Sequence, residues 1–192
     1  MRNPRLFWKG RNQMNWTIIL AEAAAFALLF TVIVLTAGGK NDSPASIHNY
    51  PPDIQEEYFK THERVDVNYQ SKSVMLAKSL GVVLFTVILF VCAMLAGADT
   101  FWQGFALTFG MMVWIGVYDT CFIDWVLFAN MKRFRLEGTE QMDKAYHQKW
   151  FHVKGMLFPG IVFALIPSLL VSADCPNPVR GQNKSKGARA QK

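Results

Sequence analysis

Four long apolar blocks, separated by charged segments, constrain the fold of this 192-residue chain more than any other feature. Each block has at most two charges and about 18 residues or more, the length that a helix needs to cross a membrane. A soluble domain with four such helices would need many more polar faces to cover them. The blocks are residues 16–37, 74–96, 101–130 and 155–173. The sequence therefore predicts an all-α integral membrane protein, specifically a four-transmembrane-helix bundle.

Residues 1–173 are expected to form a single transmembrane domain, because the length of the chain suggests one domain. The first apolar block is expected to be a retained span, since an apolar run of about 22 residues is longer than that of a signal peptide. Residues 174–192 are polar and basic and have nothing to bury. They are predicted to be a disordered basic tail.

The first and third loops are each predicted to contain a short interfacial helix. In the first loop, two prolines precede a segment whose residues Ile54, Tyr58 and Val65 fall on one helical face. In the third loop, apolar residues at helical spacing predict an amphipathic helix that leads into the fourth block; they are Met142, Tyr146, Trp150 and Val153. Both helices are expected to lie on the membrane surface or on the bundle.

The formal net charge of +6 comes from Lys and Arg residues in the flanks and tails. In a membrane protein this pattern indicates contact with the lipid bilayer and its anionic headgroups, and not with nucleic acid. Four spans place nine Lys and Arg residues on the side of the termini and ten on the other side. The basic N-terminal segment favours both termini in the cytoplasm, with the protein in the cell (plasma) membrane. A homodimer or a partner membrane protein is the other expected interaction.

Two aspartates interrupt the third block, where residues 116–125 read GVYDTCFIDW. A charged residue at the centre of a spanning helix costs about 2.5–3.5 kcal/mol on insertion scales and usually faces the bundle interior. Asp119 and Asp124 would lie about 140° apart on a regular α-helix. Either they face different neighbours, or the helix is irregular between them. Each is a proton-accepting or metal-binding carboxylate on one interpretation, and a buried hydrogen-bond acceptor that fixes helix packing on the other.

Other polar residues could complete a site with these aspartates. Asp119, Asp124 and His147 are the candidates for acid–base catalysis, although an Asp143–His147 pair one turn apart is also typical of a solvated face. Candidates for substrate binding are Glu22, Tyr118 and His152, with Glu22 alternatively extending to the interface. A shared site requires Asp124 to lie within reach of His147 or His152.

No motif in the sequence identifies a reaction. A nucleotide-binding loop, a nucleophile elbow and a trusted zinc spacing are all missing from it, so no metal ligand is predicted and any cofactor is unknown. Three function classes remain. The first is a non-enzymatic membrane component with a buried polar site on the third span. The others are an intramembrane enzyme that uses Asp/His acid–base or metal chemistry on a lipid-like substrate, and a small dimeric proton-coupled transporter.

Overall fold

The computed structural model describes residues 14–37, 47–64 and 71–175, and every regular element in these ranges is helical. Helices α1 and α3 are Trp16–Ala37 and Lys72–Leu95, with the short helix α2, Pro52–Tyr58, in the loop between them. Helix α4 covers Phe101–Tyr118 and continues directly as a π-helix, Asp119–Phe128. The elements that follow are a 3-10 turn at Lys132–Phe134 and the helices α5 (Asp143–Tyr146), α6 (Lys149–Gly155) and α7 (Ile161–Asp174). A second π-helical turn, Met156–Gly160, joins α6 to α7.

The predicted fold class is confirmed. Within the residues that the structure describes, four helical stretches are long and apolar enough to cross a membrane: Trp16–Thr36, Lys72–Leu95, Phe101–Phe128 and Asp143–Asp174. No side chain of Trp16–Thr36 is buried, and Lys72–Leu95 buries only Leu89 and Ala93. Exposed Leu, Val and Ile side chains cover these helices, as lipid contact requires. The chain is a multi-pass membrane protein with a helical bundle.

The predicted amphipathic helix of the third loop is interrupted. Tyr146 ends α5, and α6 begins only at Lys149, so the apolar residues of this segment do not share one continuous helix. Of the two prolines in the fourth span, Pro159 lies in the second π-helical turn and Pro167 inside α7. Val65 and all of the predicted tail except Asp174 and Cys175 lie outside the described residues.

The residues of the chain form two compact units, and the first contains the described residues 14–23, 79–113 and 162–175. In this unit the backbone N–H of Asn15 donates to the carbonyl of Ala96, 2.9 Å away. Gly97, with a φ of 84°, ends the turn after α3, a conformation that glycine adopts without a steric penalty. A Cβ atom on Gly104 would lie 2.6 Å from Sγ of Cys175. The first unit therefore depends on close approach at Gly104.

The second unit contains the described residues 24–37, 47–64, 71–78 and 114–161. Its two loops share a set of buried side chains that we call the loop core: Ile47, Tyr50, Ile54, Tyr58, Leu136, Ala145 and Tyr146. The hydroxyl of Tyr50 donates to the carbonyl of Phe134, and the amide of Gln148 donates to Asp53. The first and third loops therefore pack on each other, as loops on one side of a membrane can.

Candidate functional site

The π-helix changes the directions in which the side chains of Asp119 and Asp124 project from the helix. In a π-helix each N–H bonds the carbonyl five residues earlier, so residues five apart lie roughly one above the other. The N–H of Ala129 indeed donates to the carbonyl of Asp124. Of the two alternatives that the sequence left open, the irregular helix is the one found. Both carboxylates can therefore point towards one side of the helix.

Asp124 contacts His152 of α6 directly. Oδ2 of Asp124 lies 2.9 Å from Nδ1 of His152, and these side chains are 20% and 8% exposed. A carboxylate oxygen accepts hydrogen bonds, so this contact is satisfied when Nδ1 carries the hydrogen and donates it. In a neutral imidazole, Nε2 is then the nitrogen with the free lone pair. The contact that a shared polar site requires is present.

The second ring nitrogen of His152 has no such partner. Nε2 is shielded from solvent and makes no hydrogen bond within the described residues. Aromatic rings hold the imidazole in place: Phe128 meets it at 5.5 Å and Phe151 at 5.2 Å between ring centroids, each at a steep angle. A buried polar atom without a partner costs free energy and often marks a functional site. His152 thus offers a fixed, buried lone pair.

Asp119 completes a group that we call the polar cluster: Asp119, Asp124 and His152. Asp119 is half-buried and lies within electrostatic range of the other two members, repelled by Asp124 and attracted by a protonated His152. Two carboxylates and one imidazole can share protons in several arrangements, because each charge state of one changes the energy of the others. The cluster is chemically suited to binding protons.

A cation and an indole lie at the edge of the polar cluster. Nζ of Lys149 lies 5.0 Å from the ring centroid of Trp125, within the range of a cation–π contact. The indole Nε1 of Trp125 is buried without a hydrogen-bond partner in the described part of the chain. Sequence reasoning did not include either residue. Lys149 precedes His152 by three positions, and Trp125 follows Asp124. This closeness in sequence is the only signal that could have indicated Lys149 and Trp125.

Tyr118 has a partner that the sequence did not indicate, Thr31 of α1. The hydroxyl of Thr31 donates to the carbonyl of Ala27 at 2.8 Å, so the 2.7 Å contact between Thr31 and Tyr118 must be donated by the tyrosine. The ring of Tyr118 stacks on Phe122. These contacts fix Tyr118 to α1 and use its hydroxyl hydrogen. Its predicted role in substrate binding stays a prediction.

His147 does not pair with Asp124. Its Nδ1 lies 2.8 Å from the carbonyl of Asp143 and 3.6 Å from a carboxylate oxygen of the same residue. The side chains of His147 and Asp143 are 38% and 72% exposed, and Asp143 also pairs with Arg135. This is the solvated Asp–His pair that the sequence offered as the alternative. The structure brings together Asp119, Asp124 and His152, whereas His147 faces solvent.

Glu22 contacts neither Asp119 nor His152 in any hydrogen bond or ion pair of the described residues. Both of its carboxyl oxygens are shielded from solvent, so the side chain does not extend to an interface. Its neighbour is Cys92 of α3. No group of three or more His, Cys, Asp or Glu side chains in the described chain could hold a metal ion.

Comparison with known proteins gives no further guidance. No protein-family model, curated protein or solved structure matches this sequence.

Proposed function

We propose that this chain is a non-enzymatic membrane component whose polar cluster takes up and releases a proton within the membrane. The observation that carries the proposal is the Asp124–His152 contact of 2.9 Å, together with the buried, unpartnered Nε2 of His152. A proton needs no cavity, whereas a larger ligand would need room beside an atom that is shielded from solvent. A buried imidazole oriented by a carboxylate is a common way to handle protons near neutral pH.

Proton uptake would occur at Nε2 of His152. The imidazolium that forms would keep its Nδ1 hydrogen bond to Asp124 and would be attracted by Asp119. Without the added proton, two neighbouring carboxylates repel each other in a site that is poorly solvated. The proton therefore changes the net charge at the contact between the π-helix and α6, which pack directly on each other. Uptake of the proton is expected to tighten the contact between the π-helix and α6.

The location of the cluster within the membrane is part of this proposal. Asp119 and Asp124 lie in the stretch Phe101–Phe128, and His152 lies in Asp143–Asp174, both long enough to cross a bilayer. Intramembrane ionisable residues usually pair with one another and serve proton or ion pathways. We place the protein in the cell membrane with both termini in the cytoplasm, on the strength of the basic N-terminal segment.

The test is the protonation state of His152 in lipid nanodiscs, read from ¹⁵N chemical shifts of selectively labelled histidine. A pH titration should convert the His152 signal from the Nδ1–H tautomer to the imidazolium, and Asp124→Asn should change both the tautomer and the midpoint of this transition. The solvated pair supplies the matched control. Asp143→Asn should alter the signal of His147 and leave that of His152 unchanged. A His152 signal that stays neutral between roughly pH 4 and pH 9, the range in which histidine titrates in proteins, would exclude the proposal.

A proton-coupled transporter would use the same cluster and add a second copy of the chain. Four spans are too few to enclose a path easily, so this alternative needs a homodimer. The particle mass in native lipid decides it. A dimer whose proton uptake changes on addition of a solute favours the transporter, and a monomer contradicts it.

An intramembrane enzyme is the second candidate, favoured by one observation. A carboxylate that holds Nδ1 and leaves Nε2 free is the arrangement of a histidine general base. A lipid-like substrate would have to reach Nε2, which is buried. Incubation with isotopically labelled lipid vesicles tests this: chemical conversion by wild type and not by His152→Gln favours the enzyme. Unchanged lipid with both proteins contradicts it.

A further inference from the structure

The ring of Phe128, the last residue of the π-helix, contacts both the polar cluster and the loop core. It meets the imidazole of His152 at 5.5 Å between ring centroids, with an angle of 69° between the ring planes. It also meets two rings of the loop core, Tyr50 at 5.0 Å and Tyr146 at 5.5 Å. All four residues belong to the second compact unit. Phe128 therefore joins the loop core to the polar cluster.

Hydrogen bonds hold the two loop-core rings in position. The hydroxyl of Tyr50 donates to a backbone carbonyl of the third loop at 3.0 Å. The hydroxyl of Tyr146 accepts from the backbone N–H of Leu136 at 2.9 Å and contacts the hydroxyl of Thr139 at 2.7 Å. Both tyrosines are buried. Because a closely packed interior transmits strain, a displacement of either tyrosine ring is passed on to Phe128.

The imidazole of His152 needs a second point of support besides its contact with Asp124. Nδ1 makes that contact, and Nε2 has no hydrogen-bond partner within the described residues, so the ring could still turn about its one polar contact. Phe151 precedes His152 on the same helix and moves with it. Phe128 lies on the π-helix, which packs against α6. The ring of Phe128 can therefore oppose rotation of the imidazole, which Phe151 alone cannot do.

We propose that Phe128 is a positioning residue of the polar cluster, through which the packing of the loop core controls the orientation of the His152 imidazole. A partner that binds either loop and displaces Tyr50 or Tyr146 would loosen the orientation in which Nδ1 donates to Asp124. Coupling between two sites is reciprocal, so uptake of a proton at Nε2 would change the stability of the loop core by the same factor. This last consequence rests on the proposed function, whereas the control of orientation does not.

The ionisable groups around His152 lie on the elements that form the polar cluster. Asp119 and Asp124 belong to the π-helix. Lys149 and Lys154 belong to α6 itself. The second π-helical turn, which also packs on α6, reads MLFPG and contains no ionisable group. An apolar substitution in the loop core leaves all of these charges in place, so any effect on His152 must be transmitted by packing.

The test reads the ¹⁵N signal of Nδ1 of His152 in lipid nanodiscs at one fixed pH. Its chemical shift depends on the hydrogen bond to Asp124 whether the ring is neutral or protonated. Phe128→Leu keeps an apolar side chain and removes the ring, so the signal should shift and broaden. The matched control is Phe122→Leu, the same substitution on the same π-helix at a side chain that is 38% exposed. This control should leave the Nδ1 signal unchanged.

A double-mutant cycle tests whether the loop core acts through Phe128. Ile54→Val removes one methylene from a fully buried side chain of the loop core. It should shift the Nδ1 signal of His152 in the wild-type background and have no further effect in Phe128→Leu. Leu89→Val, which shortens a fully buried side chain of the first compact unit, is the control and should not shift the signal.

The proposal is wrong if Ile54→Val leaves the Nδ1 signal of His152 unchanged, or if it shifts the signal equally with and without the ring of Phe128. If Phe128→Leu fails to fold, Ile54→Val beside Leu89→Val decides alone. None of these outcomes requires His152 to titrate. The proposed proton uptake can therefore fail while the role of Phe128 stands, and the reverse.

Discussion

At the scale of single residues, Asp119 and Asp124 should respond oppositely to the same substitution. Asp124→Asn removes the partner of a mostly buried His152, and breaking a buried pair costs up to about 3–5 kcal/mol. Asp119→Asn removes a charge that is repelled by Asp124, so its melting temperature should equal or exceed that of wild type. Thermal unfolding in detergent or nanodiscs measures both.

Glu57→Gln is the control for this comparison. Glu57 and Lys60 form a pair whose side chains are 36% and 61% exposed, and such surface pairs contribute little to stability. This variant should melt close to wild type. If Asp119→Asn and Asp124→Asn are equally destabilising, the repulsion between them is not significant, and the polar cluster serves only to fix helix packing.

Cys175 offers a pH-dependent prediction outside the membrane-spanning segments. Burial raises the pKa of this thiol, and the charges of Asp174 and Asp99 raise it further. A higher pKa leaves less thiolate at a given pH, and the thiolate is the reactive form. In a Cys92→Ala/Cys121→Ala background, the midpoint of the alkylation–pH profile should lie at more alkaline pH in folded than in unfolded protein. Coinciding midpoints would contradict this, whatever the absolute rates.

At the scale of helices, the glycines of α4 differ sharply in their surroundings. A Cβ on Gly104 would approach Sγ of Cys175 to 2.6 Å and Cα of Ser172 to 3.4 Å, whereas one on Gly110 would have no neighbour within 4 Å. Gly104→Ala should destabilise by about 1–3 kcal/mol through overpacking. Gly110→Ala should be neutral or stabilising by up to about 1 kcal/mol, because alanine favours helix. Equal melting temperatures for the two variants would show that the Gly104 contact is loose.

The π-helix predicts an unusual tolerance to deletion. Removing exposed Cys121 lets the i to i+5 pattern relax to i to i+4, and Asp119 and Asp124, then four apart, still share a side. Deleting exposed Val113 from regular α4 would instead turn Tyr118 by about 100° and break its bond to Thr31. The first variant should keep the ¹⁵N signature of His152 and melt near wild type. A lower melting temperature for the Cys121 deletion than for the Val113 deletion would contradict the argument.

The helices could be predicted from sequence because uninterrupted apolar runs need no partner to be recognised. The predicted first span, 16–37, coincides with Trp16–Ala37, and Phe101 begins the third span (helix α4) as expected. The π-helix could not be predicted, since α and π geometries use the same side chains and differ only in backbone register. The one sequence feature that was consistent with a π-helix was the five-residue spacing of Asp119 and Asp124. Which histidine would meet Asp124 depended on the break after Tyr146, which no residue signal indicates.

At the scale of the whole molecule, the loop core predicts that the first and third loops share one side of the membrane. Glu63 and Glu140 are exposed and lie in the first and third loops respectively. In a cysteine-free background, Glu63→Cys and Glu140→Cys should react with a membrane-impermeant maleimide from the same side of sealed vesicles. A membrane-permeant maleimide, which should label both, is the control. Labelling from opposite sides would contradict the four-span topology, and the side found fixes the orientation.

The π-helix also suggests how such a site could arise in a lineage of membrane proteins. Inserting one residue into a regular span displaces every later side chain unless the extra residue is absorbed locally as a π turn. Here the carboxylates at Asp119 and Asp124 lie within that absorbed segment. Ancestral chains without the pair would then be expected to be shorter by one residue between Gly116 and Ala129. Such a history would appear as a change in the length of the segment between Gly116 and Ala129, and not only as a pair of substitutions.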